Sequence, residues 1–289
     1  MTTARRFTGP IDLHTHSRVS DGTESPAELI QAAAVAGLGT VALTDHDSTA
    51  GWAEATAAAR LAGITLIPGM EFSTLHGFSS VHLLAYLFDP TDAGIVDETA
   101  RIRESRLTRA ELMVARIGVD YALTWDDVLA QTTPGATIGR PHIADALVAH
   151  GFAPTRSDAF AGILHWRSGY NQPHYAPEPL QAVRLVRAAG GVPVLAHPAT
   201  RGVEDVVSER HLAELAEAGL FGLELDHREN KPEAKARLAS LAEAYGLAVT
   251  GSSDYHGDGK LNRLGENTTA PEVLDALIAQ ASGSEPVYA

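Results

Sequence analysis

Cysteine is absent from the 289 residues. Disulfides and thiolate metal sites are thereby excluded, and any bound metal must be held by histidine and carboxylate. No run of about eighteen apolar residues occurs, which excludes a helical membrane span. The opening MTTARRFTGP has two arginines but no apolar stretch behind them, so a secretory signal is not expected. These absences together fit a cytoplasmic protein. Basic residues are also scarce: 22 Lys and Arg stand against 36 Asp and Glu, for a formal net charge of −14. A protein that grips long nucleic acid by neutralising phosphates carries a basic surface. No long nucleic acid partner is therefore expected, although a local basic pocket remains compatible with this balance. There is no low-complexity segment and no repeat beyond a strand–helix period.

What is present is a hydrophobic content of 45 %, ordinary for a chain with a full core. Pro10 to Gly22, PIDLHTHSRVSDG, organises the rest. Ile11 to Leu13 reads as a short buried strand, ending in His14-Thr15-His16 and then Asp21. Residues i and i+2 of a strand share a side, so His14 and His16 project together with a carboxylate close behind. Two imidazoles and an anionic oxygen suit a divalent metal. Other strand ends repeat the theme. Strand Thr40 to Leu43 runs into Thr44-Asp45-His46-Asp47, and strand Ile64 to Ile67 into Pro68-Gly69-Met70-Glu71. His82 lies near the start of strand Val81 to Leu87. The strand over 192–196 ends at His197, and the one over 247–250 runs into Asp254-Tyr255-His256. His14, His16, Asp21, His46, Glu71, His82, His197, Asp254 and His256 are the candidate metal ligands. His150, His165, His211 and Asp47 read as surface or packing residues.

Helices alternate with these strands. Ser25-Pro26-Ala27-Glu28 is a capping-box start, and Gly37 and Gly63 close the first two helices. Strand and helix in alternation predict right-handed βαβ units and a parallel sheet. Between Pro90 and Tyr175 the alternation stops. A long charged helix over 95–116 is followed by shorter ones over 125–130, 141–150 and 157–164, with no strand among them. The expected architecture is α/β: a barrel of roughly seven strands over 1–90 and 176–289, with polar residues gathered at the strand ends as barrel enzymes place them, and a small helical insertion over 91–175. The alternative is an open doubly wound sheet, which would gather its site at one switch point rather than after nearly every strand.

These motifs resemble, as an ordered set, those of the PHP (polymerase and histidinol phosphatase) family: Asp12-Leu13-His14-Thr15-His16, Ser20-Asp21-Gly22, Thr44-Asp45-His46, Glu71, Ala196-His197-Pro198 and Ser253-Asp254-Tyr255-His256. The resemblance implies a distorted seven-stranded barrel of that family's type and a centre of two or three divalent metals that hydrolyses phosphoesters. It also implies a division of ligands: His14, His16, Glu71 and Asp254 on one metal; Glu71, His82 and His197 on a second; Asp21, His46 and His256 on a third. Mn²⁺, Zn²⁺ or Fe²⁺ fits such ligands better than Mg²⁺ alone.

Ile138-Gly139-Arg140-Pro141-His142-Ile143-Ala144 and His197-Pro198-Ala199-Thr200-Arg201 are similar to a subgroup of metal-dependent phosphoesterases. Members dephosphorylate nucleotides, including nucleoside 3′,5′-bisphosphates, or trim the 5′ ends of short oligonucleotides. The expected substrate is accordingly a small phosphorylated nucleotide such as AMP, with a 5′→3′ exonuclease on short oligonucleotides as the alternative. In another class stand a metal-dependent amide hydrolase and a phosphate-binding protein without turnover. Arg140 and Arg201 are the candidate phosphate contacts, because guanidinium forks match phosphate oxygens. His142 is a candidate acid or substrate contact, and His197 takes part in catalysis as a ligand. Where the subgroup favours an aromatic after the Glu224 strand, this chain has Asp226-His227-Arg228, which makes His227 a substrate-side candidate. Where the subgroup often has a lysine-tyrosine pair, this chain has Leu164-His165-Trp166-Arg167.

Overall fold

The computed structural model describes residues 9–77, 79–200 and 208–289. Seven strands form one sheet in chain order: β1 (Ile11–Asp12), β2 (Thr40–Leu43), β3 (Thr65–His76), β4 (Ser79–Tyr86), β5 (Val192–Leu195), β6 (Gly222–Asp226) and β7 (Ala248–Gly251). The sheet curls towards closure. Thr15 and Tyr255 make a parallel bridge between the segments following β7 and β1, and the Thr269 N–H donates to the Ile11 carbonyl at 2.9 Å. The result is a nearly closed seven-stranded barrel rather than an open sheet.

The barrel departs from the all-parallel expectation at one strand. β4 runs antiparallel to both β3 and β5, while the other neighbouring strands pair in parallel. Only residues 77–78 separate β3 from β4. A parallel return needs a crossover of about a dozen residues or more, so a hairpin is the only connection this length allows. β3 is also long enough to carry Glu71 halfway along it, not at a strand end.

Helices α1 (Pro26–Val35), α2 (Trp52–Ala62), α7 (Pro179–Ala188), α8 (Glu209–Glu217), α9 (Pro232–Ala244) and α10 (Pro271–Gln280) belong to the barrel. α1 starts as its sequence dictates: the Ser25 hydroxyl accepts the Glu28 N–H, Glu28 reaches back to the Ser25 N–H, and Pro26 takes the first turn. Alternate residues of each strand face different layers. Leu83, Ala85, Leu195 and Leu223 pack with Val183 of α7, Leu212 of α8 and Leu238 of α9. Leu84, Tyr86, Val192 and Val194 pack with Ile11, Leu13, Ile67 and the α10 residues Leu274 and Leu277.

The reversal of β4 decides where the helical segment departs. β4 finishes beside the start of β5, with Tyr86 opposite Val192, and the Asp89 N–H donates to the Ala189 carbonyl at 2.9 Å. The chain therefore leaves from the foot of the barrel, opposite to the rim where the strand-end ligand candidates gather. α3 (Ala93–Asp120) makes up the difference, rising about 40 Å at ~1.5 Å per residue. Its early residues Ile95 and Ile102 lie in the barrel core. Its later residues Ala110, Met113, Val114 and Ile117 lie in a separate core with α4 (Trp125–Leu129), α5 (Arg140–Ala149) and α6 (Arg156–Ala161). The chain comes back at the rim, where the Leu75 N–H donates to the Pro177 carbonyl at 2.9 Å.

Candidate metal centre

All nine predicted ligands converge at the rim, and Glu71 is their centre. One carboxylate oxygen, Oε2, lies 3.3 Å from His14 Nε2, 3.1 Å from His16 Nε2 and 3.3 Å from His46 Nδ1. The other, Oε1, lies 2.7 Å from His82 Nδ1 and 3.1 Å from His197 Nε2. Asp254 Oδ1 is 3.4 and 3.5 Å from the Nε2 atoms of His14 and His16. Asp21 faces His256 Nε2 at 3.3 Å and His46 Nε2 at 3.8 Å.

The β4 reversal makes this geometry possible. It lets one strand pair present Glu71 and His82 side by side, whereas the other ligands follow the C-terminal ends of β1, β2, β5 and β7. Asp47 (φ 49°), His197 (φ 29°) and Asp254 (φ 55°) hold left-handed backbone, which non-glycine residues avoid. Such strain gathers where side-chain aim matters more than backbone comfort. Gly22 answers a different demand: a Cβ there would meet the His16 carbonyl oxygen at 2.2 Å, so only glycine lets the Asp21 loop close on His16.

The donor set fits divalent cations. His14 Nε2 and His16 Nε2 face each other at 2.9 Å. His14 Nδ1 is engaged by Glu224 Oε1 at 3.0 Å, which favours a proton on Nδ1 and presents Nε2 to the centre. Nε2 faces the Glu71 and Asp254 oxygens, an arrangement that a bound cation would bridge. Burial by itself would raise the Glu71 carboxyl, but His46, His82 and His14 around it hold it well below the usual range. Asp254 behaves alike: burial opposes ionisation, and Lys260, His256 and His14 overcome it. Potential ligand atoms fall into four overlapping groups: His14, His16, Glu71 and Asp254; His46, Glu71 and His82; His16, Asp21 and His256; His14, His197 and Glu224. The first matches the division implied by the family resemblance. The others place His46 with His82, and His16 with Asp21 and His256.

Several site residues were not read from the sequence. Glu224, fully buried on β6, ties His14 to the His197 N–H, which it accepts at 2.8 Å. Nothing in the GLELD strand marks it except a carboxylate within a run that is buried from Gly222 to Leu225. Asp45 accepts the Ser17 N–H at 2.8 Å and the Ser20 hydroxyl at 2.8 Å, holding the loop before Asp21. Asp47 was read as surface or packing. It is buried, accepts the Ser73 N–H at 2.8 Å, and pairs with Arg106 Nε at 3.1 Å.

A cavity of about 650 Å³ opens above the cluster. Asp21, His46, Glu71, His82, His197, Asp254 and His256 line it from the barrel; Arg106, Arg109, Arg140, Arg156, Trp166 and His174 line it from the helical segment. Arg106 and Arg109 stand three apart on α3, hence on one face, a spacing that marks them in hindsight. Arg106 is paired with Asp47, Arg156 with Asp145 (2.7 Å to Nε) and Lys260 with Asp254 (2.6 Å). Arg109 is different. Its guanidinium is buried, donates to His174 Nδ1 at 3.0 Å, and has no carboxylate partner among the described residues. Burial and the neighbouring Arg106 and Arg140 lower it to about 9.

Two substrate-side candidates fall elsewhere. His142 is buried, accepts the Gly139 N–H at 3.1 Å as a helix cap, and does not line the cavity. His227 is buried behind Asp254, its Nε2 3.4 Å from Asp254 Oδ2, and its Nδ1 accepts the Glu229 N–H. It too lies off the cavity wall, and its geometry suits orienting Asp254. Arg201 lies outside the described residues.

This fold and cluster define a metal-dependent phosphoesterase, and the chain belongs to the PHP family: the PHP domain matches residues 12–115. A 3′,5′-nucleoside bisphosphate phosphatase of Chromobacterium violaceum is 33 % identical over 91 % of this chain and 93 % of its own. A 5′-3′ exoribonuclease of Escherichia coli, Rnm, is 32 % identical over 92 % of each chain. Among solved structures, a metal-dependent phosphoesterase of Bifidobacterium adolescentis superposes with a TM-score of 0.92 at 43 % identity, covering 95 % of this chain and 97 % of that one. An amidohydrolase of C. violaceum, solved with bound sulfate and no metal, gives 0.85 at 31 %, covering 95 % and 98 %. No helix of the described residues is long and apolar enough to cross a membrane.

Proposed function

We propose that the protein removes a phosphate from a small nucleotide, a mononucleotide or a nucleoside 3′,5′-bisphosphate. The observation that carries this reading is Arg109. A buried guanidinium without an acidic partner is costly, and this one faces a cavity whose opposite wall is the carboxylate–histidine cluster. A phosphate dianion relieves the guanidinium, and cations held by the opposite wall would take up its remaining charge. Arg140 lines the same cavity, and the two guanidinium forks suit phosphate oxygens better than a neutral amide. That argues against amide hydrolysis, and the bound sulfate of the C. violaceum structure fits an anion-accepting site in a relative.

Two or three ions of the Mn²⁺, Zn²⁺ or Fe²⁺ kind, held by the nine residues, would supply an activated water and neutralise charge on the phosphoryl oxygens. The chain's own residues do the rest. Glu224 keeps His14 in the tautomer that faces the centre. Arg109 and Arg140 bind and orient the substrate phosphate, and Arg201 is positioned in sequence to assist from the loop after His197. Segment 91–175 acts as the cap that closes the cavity.

A second reading, a 5′→3′ exonuclease on short oligonucleotides, is favoured by the exoribonuclease relative. The formal charge of −14 weighs against long strands. Purified protein loaded with Mn²⁺ should release phosphate from AMP or a 3′,5′-bisphosphate faster than nucleotides from short oligomers. Release from oligomers alone would favour the exonuclease, and turnover of neither would sink both readings.

A further inference from the structure

We propose that Trp166 is a stacking platform for the nucleobase of the substrate, with the amides of Asn171 and Gln172 beside it. This rests on the nucleotide reading above and adds where the base is held.

Trp166 is 64 % exposed yet lines the cavity, and it takes no part in the cap core that includes its neighbours Phe160, Ile163, Leu164 and Tyr170. An indole left out of a core that surrounds its own loop is available to a ligand. It is also held in place. Leu164 is buried, the Ser168 N–H donates to the His165 carbonyl at 2.9 Å, and the Arg167 N–H donates to His165 Nδ1 at 3.2 Å. The Arg167 guanidinium lies 4.4 Å over the ring. Arg167 does not line the cavity, so it backs the indole and does not compete for the space in front. The other aromatic ring of the cavity, Phe160, is partly buried and already carries Arg140 at 5.5 Å from its centroid.

The chemistry of the wall changes across the cavity accordingly. Arg109, Arg140 and His174 make its anion-seeking part; Trp166, Asn171 and Gln172 combine a π-face with amide donors and acceptors. A phosphate at the first and a planar heterocycle at the second describe a nucleotide, and the volume of about 650 Å³ suits a ligand of that size. A larger π-face stacks better, so a purine is the preferred occupant.

Two measurements test this. The first compares AMP with ribose 5-phosphate, which has the phosphate and no base, in wild type, Trp166→Ala and Trp166→Phe. The expected result is a fall of about tenfold or more in the ratio of kcat/KM for AMP to that for ribose 5-phosphate in the alanine variant. KM should carry most of it, and phenylalanine should restore part. An unchanged ratio would overturn the platform, whether both activities fall together or neither moves. The second needs no turnover. AMP added to metal-free protein should quench indole fluorescence, ribose 5-phosphate should not, and Trp166→Phe should abolish the quenching despite the remaining Trp52 and Trp125. Quenching that survives in the variant would also overturn the platform. If AMP quenches through Trp166 but Mn²⁺-loaded protein hydrolyses neither compound, the platform stands and the phosphatase reading falls.

Discussion

Arg109 sets the sharpest residue-scale expectations. Losing a charge-assisted contact costs roughly 1.5–3 kcal/mol, or about ten- to a hundredfold. Arg109→Ala and Arg140→Ala should each lower kcat/KM on nucleotides by that order and leave metal content unchanged. Wild-type kcat/KM in both would move the phosphate grip elsewhere. Glu224→Gln acts differently, because it keeps the size but weakens the hold on His14 and His197. It should lower metal affinity about ten- to a hundredfold, measured by competition with a chelator; unaltered affinity would make Glu224 a mere packing residue. His174 gives a pH expectation. Burial, then Arg109, Arg106 and Arg140, push its pKa down to about 3. The unfolded chain therefore takes up this proton near pH 6.5, before the folded one does. Stability that depends on neutral His174 is fully present above pH 6.5 and drains as pH falls towards 3. Wild type should lose more stability than His174→Gln over that window, read from denaturant midpoints. Parallel losses would show that the ring is not held neutral.

Among elements, the agreement between sequence and structure divides along a physical line. The capping box at Ser25, the stop at Gly63 and the helix from Pro271 depend on contacts a few residues apart, and they stand where the sequence places them. The candidate ligands after β1, β2, β5 and β7 could be picked out because each follows an apolar run, and the structure brings them together. The β3–β4 hairpin was not, because both strands are largely buried and lack the alternation that distinguishes an antiparallel pair. Glu224, Arg106 and Arg109 were missed for a related reason. Their partners, His14, Asp47 and His174, are 210, 59 and 65 positions away, and no local pattern reports such pairs. α6 offers an element-scale test. Arg156 clamps Asp145 and also donates to the Asp21 carbonyl at 3.0 Å, fastening the cap to the loop that bears a candidate ligand. Arg156→Ala should lower Tm and reduce the metal bound per chain while sparing the His14, His16, Glu71 and Asp254 group. Full metal content in the variant would detach the clamp from the centre.

At the scale of the whole molecule, the acidic balance and the bound ions belong together. Asp21, Glu71, Glu224 and Asp254 are buried within one cluster. Cations there offset mutual repulsion that the empty protein must bear. Chelation should therefore lower Tm, and Mn²⁺ should restore it in proportion to occupancy. A Tm indifferent to chelator would mean that the imidazoles alone balance the cluster.

α3 has one more consequence. It is a continuous helix of 28 residues rooted in the barrel core at one end and in the cap core at the other. Many enzymes with a cap open it like a door, turning about a few loop residues. Here the door and its frame share a beam. Swinging the helical segment would require bending that beam or pulling Ile95 and Ile102 from their packing, which sets a standing cost against any wide opening of the cavity.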